Sequence, residues 1–515
     1  MLPRSLPTVP STSLAPYGAP LTAADVRHLL RRTGFGAPHA RVQPLVGRSA
    51  AEAVRQILDE AEAAPILPAP AWLATPQTNI AEMNGERDAW TTRMLAHPVR
   101  ERLALFWHHH FATEIRDYVH AASGWTYYTL CRTHALGNVR TLVHAMGLNP
   151  AMLRYLNGNQ STKAAPNQNY ARELLELFTI GPTDRNGTPN YTESDVLEAA
   201  RALTGWRIRP TGTVGGVTTV GTEVYFDAAR YDTGTKTILG QTGLWAYDDV
   251  VRIVFEQRPR QVAAFIARKM LAFYVSAAPD ATVEAALADV LLGGSFRLRP
   301  ALETLLASEH FFDAGHRGAL LKSPLDVYIG ALADLGATAF NATYVRNRAR
   351  ERDLDLLNPP NVSGWPGFNP PSSGGLPGYT AWYAADDFGP LWSVLGALVD
   401  KTNAVSTYDP LDFIRHAPTP PDPFSVAVSI AERLVGVPLA YASVLPNDAP
   451  LAGNPAIPPP DYVVHGPRYL SDLGKMLLGT MPHYEWSAST DAVLAARVQA
   501  YLKALYTTVP ETLVF

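Results

Sequence analysis

The chain has 515 residues, of which 47% are hydrophobic and 17% are charged, and its formal net charge at pH 7 is -4. This composition is that of a globular chain, and it excludes intrinsic disorder. It also excludes general nucleic-acid binding, which requires clustered Lys and Arg. Cys131 is the only cysteine, so an intrachain disulfide and a cysteine-based zinc site are excluded as well.

The first element in chain order is a flexible N-terminal arm over residues 1–20. Proline and serine interrupt this segment throughout, so it lacks the apolar run of an export signal. Nowhere does the chain reach the roughly 18 consecutive apolar residues that a membrane span requires. We therefore expect a soluble protein, or one held at a surface by partners, and the sequence leaves its localisation open.

A helical core domain is predicted over residues 21–400. Its first helix lies in LTAADVRHLLRRTGFG, where Thr22 is the expected N-cap and Gly34 the stop. Helical periodicity recurs in AAEAVRQILDEAEAA, HPVRERLALFWHHHFAT, NVRTLVHAM, NYARELLELFTIG, TESDVLEAARALTGW, PRQVAAFIARKMLAFYV, TVEAALADVLLGG and SPLDVYIGALADLG. These segments predict a mainly α fold, namely a multi-helix orthogonal assembly.

Three segments depart from the helical pattern. Residues 207–247 are rich in Thr, Val and Gly and predict a small β-hairpin insertion. Residues 358–379 form a Pro/Gly-rich loop, in which Trp365 and neighbouring apolar residues favour an ordered, binding-type conformation. Residues 401–515 are predicted to be a Pro-rich arm followed by a C-terminal helical segment.

Three consecutive histidines stand in FWHHHFAT, at the expected end of a helix. Successive helical residues are about 100° apart, so His108 and His110 diverge by roughly 200° and cannot share one metal ion. One interpretation is a helix-terminal cluster whose imidazoles bond to carbonyl groups or water. The other is that His108 or His110 joins groups from elsewhere in a site, as a base or a ligand.

The period of NYARELLELFTIG predicts a helix with a buried stripe of Ala171, Leu174, Leu175 and Phe178. This helix carries two carboxylates at i, i+3 spacing, Glu173 and Glu176. Two carboxylates this close can hold a divalent cation or act as an acid/base pair with separated pKa values. The structural alternative is that Arg172 pairs with Glu176 at i, i+4 on the surface.

The segment DRNGTPNYTESD resembles a calcium loop in the spacing of its oxygen-bearing side chains. The candidate ligands are Asp184, Asn186, Asn190 and Asp195, with threonines between them. Pro189 stands where such loops have glycine, and Asp195 stands where they have a bidentate glutamate. An ordinary Asn/Gly turn is the alternative, and a capping box from Thr192 to Asp195 would give Asp195 a structural role.

Two polar segments are candidates for substrate binding. In LNGNQSTKAAPNQNYARE, amide and cationic donors gather at a helix N-terminus, which attracts anions; they include Lys163, Asn167, Asn169 and Arg172. In YDTGTKTILG, Asp232 and Lys236 stand in a turn that lacks the glycine spacing of a P-loop.

Seven ordered motifs carry a resemblance to a known family. They are RHLLRRTGFG, ERLALFWHHHFAT, PNQNYARELLELFTIG, YTESDVLEAARALTGW, YDTGTKTILG, ARKMLAF and PPNVSGWPG, within residues 20–390. The chain resembles the bacterial domain-of-unknown-function family numbered 1800. That family usually has Asn at the position of His109 and His at the position of Tyr231, which lowers the weight of those two residues as catalytic candidates.

The resemblance carries no reaction with it. It implies export or envelope association, and a protein partner of sulfatase-like or phosphatase-like fold. The residues favour a hydrolase-like enzyme, with His108, His110, Glu173 and Glu176 as acid/base groups or ligands of a divalent metal. Lys163, Arg172 and Lys236 would then hold an anionic substrate on which Trp365 stacks. The alternative is a non-catalytic cell-envelope or assembly scaffold whose polar motifs form a buried network.

Overall fold

The structure is a computed structural model. It describes residues 10–74, 80–118, 120–210, 212–214, 217–219, 221–369, 378–383, 388–417, 422–435, 469–508 and 510–513. Parts of the predicted N-terminal arm, Pro/Gly loop and Pro-rich arm therefore lie outside the described residues, namely 1–9, 370–377, 418–421 and 436–468.

The prediction of a mainly α fold is confirmed. The α-helices, in chain order, are α1 (Ala23–Thr33), α2 (His39–Val42), α3 (Ala50–Ala63), α4 (Ile80–Ala96), α5 (Pro98–His110), α6 (Ala121–Thr133), α7 (Val139–Gly147), α8 (Pro150–Tyr155), α9 (Gln168–Glu173), α10 (Glu193–Ala202), α11 (Tyr247–Gln257), α12 (Pro259–Tyr274), α13 (Ala281–Gly293), α14 (Leu298–Leu306), α15 (Glu309–Phe312), α16 (Pro324–Asp334), α17 (Ala342–Arg350), α18 (Phe388–Asp400), α19 (Asp412–Arg415), α20 (Pro423–Leu434), α21 (Tyr469–Leu478) and α22 (Asp491–Thr508). A π-helical segment, Leu174–Thr179, continues α9.

The strands are short and paired in twos. They are β1 (Trp206–Ile208), β2 (Gly212–Val214), β3 (Val217–Thr219), β4 (Val224–Phe226), β5 (Lys236–Ile238), β6 (Gln241–Gly243), β7 (Ala339–Phe340) and β8 (Ser406–Thr407). The antiparallel pairs are β1–β4, β2–β3, β5–β6 and β7–β8. The first three pairs are the predicted β insertion, while the β7–β8 pair was not predicted.

Local sequence sets where several helices begin. Thr22 accepts from the Asp25 N–H while the Asp25 carboxylate accepts from the Thr22 N–H, which completes a capping box at α1. The predicted box at α10, from Thr192 to Asp195, is present in the same form. Gly34 ends α1, as predicted.

One continuous hydrophobic cluster joins the described helices from α1 to α22. The described part of the C-terminal segment contacts the core directly, since β8 pairs with β7 and the Lys322 N–H donates to the Leu513 carbonyl. Whether residues 401–515 form a separate unit stays a prediction. No helix in the described ranges is both long and apolar enough to cross a lipid bilayer.

Candidate functional site

The three histidines lie at the C-terminal end of α5, and all three are buried. Both ring nitrogens of His108 are bonded. Nε2 is 3.0 Å from the backbone N of Leu357, and Nδ1 is 2.6 Å from the Tyr127 hydroxyl. Because Leu357 N–H can only donate, Nε2 carries the lone pair and Nδ1 carries the hydrogen. Tyr127 in turn donates to the Phe111 carbonyl at 2.8 Å.

This bonding fixes His108 as a neutral ring. Burial, together with the smaller effect of the positive charge of Arg87, lowers the pKa of His108 to about 3. The Leu357 backbone, which His108 holds, has a φ of 61°, a left-handed conformation that costs a leucine about 1–2 kcal/mol. The Leu357 carbonyl also accepts from the Ile115 N–H at 2.8 Å. His108 therefore ties a strained turn to the end of α5.

His109 bonds to the Pro/Gly loop. Its Nδ1 accepts from the Trp365 backbone N–H at 3.2 Å, and its ring lies against Trp365 and Phe368. Gly364 has a φ of 83°, and a Cβ there would collide with the His109 ring and carbonyl. The sequence SGWPG thus places a glycine where the loop backbone meets the histidine.

His110 bonds to the segment that follows α9. Its Nε2 is 3.1 Å from the Phe178 carbonyl, so Nε2 carries the hydrogen and Nδ1 the lone pair. Nδ1 is buried and has no hydrogen-bond partner among the described residues. Burial lowers the pKa of His110 well below its ordinary value, and Lys269 adds to that effect.

Trp365 is completely buried, with its indole edge-on to the His108 ring. Its Nε1 has no hydrogen-bond partner in the described part of the chain. A ring buried in this way cannot stack on a substrate unless the loop moves. That this loop is ordered and of a binding type stays a prediction, and residues 370–377 of it lie outside the described residues.

Glu173 and Glu176 lie on the opposite side of the same helix from its buried residues. The predicted apolar stripe, Ala171, Leu174, Leu175 and Phe178, is buried. Glu176 accepts from the Tyr191 hydroxyl at 3.0 Å. Glu173 is half-buried and has no hydrogen-bond partner among the described residues. Its pKa lies above the ordinary value, because burial and the charge of Glu176 raise it by more than the charge of Arg172 lowers it.

The structural alternative, in which Arg172 pairs with Glu176, is not what the structure contains. Arg172 instead binds Glu193 of α10 through two bonds of 2.8 and 2.7 Å. The physical reason is the π-helical segment from Leu174, whose wider turns break the i, i+4 geometry on which the pairing depended.

The polar loop before α9 has partners of its own. Asn167 is the N-cap of α9: its Oδ1 accepts from the Asn169 N–H at 2.8 Å, and its own N–H donates to Ser161 Oγ at 3.0 Å. Lys163 and Asn169 are exposed, and the Lys163 N–H donates to the Arg230 carbonyl at 2.7 Å. The loop therefore lies at a helix N-terminus, as predicted, with its Asn167 side chain already used as the cap.

Asp232 and Lys236 lie together in one turn. Asp232 accepts from Arg201 Nε at 2.8 Å. Lys236 is completely buried, and its Nζ donates to the carbonyls of Asp232 and Gly234 at 2.6 and 2.8 Å. Its ammonium also faces the Tyr231 ring at 4.9 Å. Lys236 is thus saturated by the protein, which leaves it little capacity to hold an anion.

The calcium-like residues are used in local structure. Asp184 Oδ1 accepts from the N–H groups of Asn186 and Thr188, which makes an ordinary turn. Asn190 Nδ2 donates to the Ile180 carbonyl at 2.8 Å, and Asp195 caps α10. In the described ranges no group of three or more His, Cys, Asp or Glu side chains is arranged to hold a metal ion.

Sequence reasoning missed several cations in the interior, among them the half-buried Lys269 and the buried Arg31. Lys269 of α12 lies beside the histidines, its Nζ 3.5 Å from the Leu177 carbonyl, and burial lowers its pKa to about 8. Arg31 of α1 pairs with Asp334 at 3.1 Å and donates to the Val435 carbonyl at 3.2 Å. The sequence signal that could have identified Lys269 and Arg31 is a cation placed on the apolar side of an amphipathic helix.

The predicted site residues therefore do not form one cleft. The histidines and Trp365 lie in the interior, Glu173 and Glu176 lie on the far side of the π-helical segment, and Asp232 with Lys236 forms a separate network. No curated protein and no solved structure matches the chain. The family model described as "Protein of unknown function (DUF1800)" matches residues 28–499, which extends beyond the motifs that carried the resemblance. The chain belongs to this family.

Proposed function

We propose that this protein is a non-catalytic scaffold of the cell envelope or of an assembly, whose polar motifs serve the fold. One observation carries the proposal: the three consecutive histidines each bond the backbone of a different segment, at Leu357, Trp365 and Phe178. Neutral imidazoles that are buried and bonded to backbone groups in this way hold segments together, and their burial keeps them out of reach of a substrate.

Other motif residues support the same interpretation. Arg31, in RHLLRRTGFG, reaches across to Asp334 and to the Val435 carbonyl. Lys236, in YDTGTKTILG, donates to two carbonyls of its own turn. The bonds of Arg31 and Lys236 offset the free energy that it costs to bury these cations and their partners away from water, which is a structural role.

A second candidate is a hydrolase-like enzyme centred on Glu173. The specific observation in its favour is that Glu173 is half-buried with a raised pKa and lacks a hydrogen-bond partner in the described part of the chain. Among the described residues, Glu173 and Glu176 are joined by no third His, Cys, Asp or Glu side chain in an arrangement that could hold a metal ion, so we take this candidate without a metal. Glu173 would then act alone as a general acid or base.

The two candidates are separated by measuring association and turnover on the same preparations. The binding partner is the protein of sulfatase-like or phosphatase-like fold that the family resemblance implies, and complex formation is followed by size-exclusion chromatography with light scattering. We expect wild type and Glu173→Gln to form the complex equally. His108→Leu is expected to bind the partner as long as the variant is folded, and to lose the complex under the conditions in which it unfolds.

The contrary result is equally specific. A Glu173→Gln variant that still binds the partner and melts like wild type, but loses an ester- or phosphoester-hydrolysing activity that wild type has, would replace the scaffold with the enzyme. Glu176→Gln is the matched control, because it changes a neighbouring carboxylate that already has Tyr191 as its partner.

A further inference from the structure

A cavity of about 430 Å³ lies away from the histidine run, beneath residues 10–12 and beside the end of α12. Its volume falls in the range of small-molecule sites, about 300–1,000 Å³. Leu271, Val275 and Pro279 give it apolar walls, and His310 and His316 are the imidazoles that line it.

The wall formed by the N-terminal segment is fixed by hydrogen bonds. The Ser11 N–H donates to Asp313 Oδ2 at 2.9 Å. The N–H groups of Glu309 and His310 donate to the carbonyls of Ala15 and Ser13, at 2.8 and 3.0 Å. The cavity is therefore bounded on this side by a bonded segment of defined position.

The hydrogen bond of His310 to the same segment fixes its tautomer. His310 Nδ1 lies 2.5 Å from the Ser11 carbonyl oxygen, which can only accept, so Nδ1 carries the hydrogen. In the neutral ring Nε2 then carries the lone pair. His310 is 3% exposed, and no described residue bonds to its Nε2.

The tautomer of His316 follows from that of His310. His316 Nε2 lies 3.3 Å from His310 Nδ1, which carries a hydrogen directed at the Ser11 carbonyl and has no lone pair to accept with, so His316 Nε2 carries the lone pair and not a second hydrogen. The hydrogen of the neutral His316 ring is then on Nδ1, which has no partner among the described residues. Burial is the main cause that lowers the pKa of His316 to about 4, which keeps the ring neutral at physiological pH.

The two histidines that line the cavity thus carry one acceptor and one donor to which no described residue bonds. An anion is opposed by the lone pair of His310 and by the carboxylate of Asp280, which also lines the cavity. A cation is opposed by the N–H of His316, and Asp280 Oδ1 is already used at the start of α13, where it accepts from the Thr282 and Val283 N–H groups at 2.8 and 3.1 Å. A hydroxyl group satisfies both rings at once, since it donates through its hydrogen and accepts through its oxygen.

We propose that this cavity binds a small neutral molecule that has an apolar body and a hydroxyl group, of the class of phenols and amphipathic alcohols. The hydroxyl donates to His310 Nε2 and accepts from His316 Nδ1–H. The apolar body lies against Leu271 and Val275. This site is independent of the proposed scaffold role, and neither depends on the other.

The test uses the full chain at pH 8 and 4-ethylphenol as the probe, with 4-ethylanisole as the matched probe that cannot donate. Calorimetry is expected to give one site with a Kd on the order of 1 mM for the phenol, and binding at least tenfold weaker for the anisole. In protein labelled with ¹⁵N-histidine, the side-chain signals of His310 and His316 should shift with the phenol. His310→Gln and His316→Gln assign those signals.

Ala319→Phe, which places a ring in the partly exposed wall of the cavity, should abolish phenol binding, while Ala63→Phe on the exposed face of α3 should leave it unchanged. The proposal is overturned by an absence of saturable phenol binding, or by equal affinity for phenol and anisole. It is also overturned by phenol binding that shifts histidine signals other than these two. If Ala319→Phe does not fold, the wild-type ¹⁵N measurement and the pair of probes decide the matter alone.

Discussion

Replacing His108 with leucine tests whether the histidine run is structural. Leucine has a similar volume, so the change removes two hydrogen bonds and leaves little cavity. The buried Leu357 N–H loses its acceptor, which costs about 1–3 kcal/mol, and the bond to Tyr127 is worth a further 0.5–1.5 kcal/mol or so. Tyr127 keeps its bond to the Phe111 carbonyl, so only one polar group is left without a partner. We expect a total loss of about 2–4 kcal/mol in the free energy of unfolding.

The assay should resolve the loss locally, because a chain of 515 residues need not unfold in two states. Hydrogen exchange of the Leu357 amide is expected to accelerate by tenfold or more, since each factor of ten corresponds to about 1.4 kcal/mol. His108→Gln is the matched control, because its Oε1 can still accept from Leu357. It should lose about half as much protection as His108→Leu.

Two results would refute this reasoning. One is unchanged exchange at Leu357 in His108→Leu, which would mean that the bond does not hold the turn. The other is equal protection in His108→Leu and His108→Gln, which would mean that the acceptor is irrelevant. Either result would return His108 to the list of catalytic candidates.

Three further predictions concern the same region. His109→Asn should melt within a few degrees of wild type, because its amide oxygen can accept from the Trp365 N–H, whereas His109→Leu should melt clearly lower. Equal melting temperatures of these two variants would contradict a stabilising bond between His109 and Trp365. Gly364→Ala should destabilise the protein more than Gly187→Ala, by differential scanning calorimetry. Both residues have a φ above 80°, which costs alanine about 1–2 kcal/mol, but only Gly364 faces a neighbouring ring. The pKa of His108 is about 3 when folded and about 6.5 when unfolded, so below pH 6.5 the unfolded state binds the proton first and stability falls. When the pH falls from 7.5 to 5, the protonation of His108 in the unfolded state should lower the free energy of unfolding by about 2 kcal/mol. The measurement is the shift of the urea midpoint between the two pH values, of which His108→Gln should abolish this part.

The sequence was sufficient for features that depend on neighbours along the chain. The helix start at Thr22 was predicted from an N-cap residue before a helical pattern, and the start at Thr192 from a capping pair three residues apart; the structure has a capping box at both. The buried stripe of the helix at Ala171 followed from its period in the same way. Such patterns act over one or two helical turns, so the sequence alone contains the interaction.

Only the tertiary structure decided the partners of the polar side chains. His108 and His109 bond residues 249 and 256 positions away, and no spacing rule links positions that distant. Arg172 binds Glu193, because the π-helical segment removed the expected neighbour and the packing of α9 on α10 supplied another. A polar residue is assigned to structure or to chemistry by whether its bonds are completed inside the fold, and that depends on three-dimensional proximity.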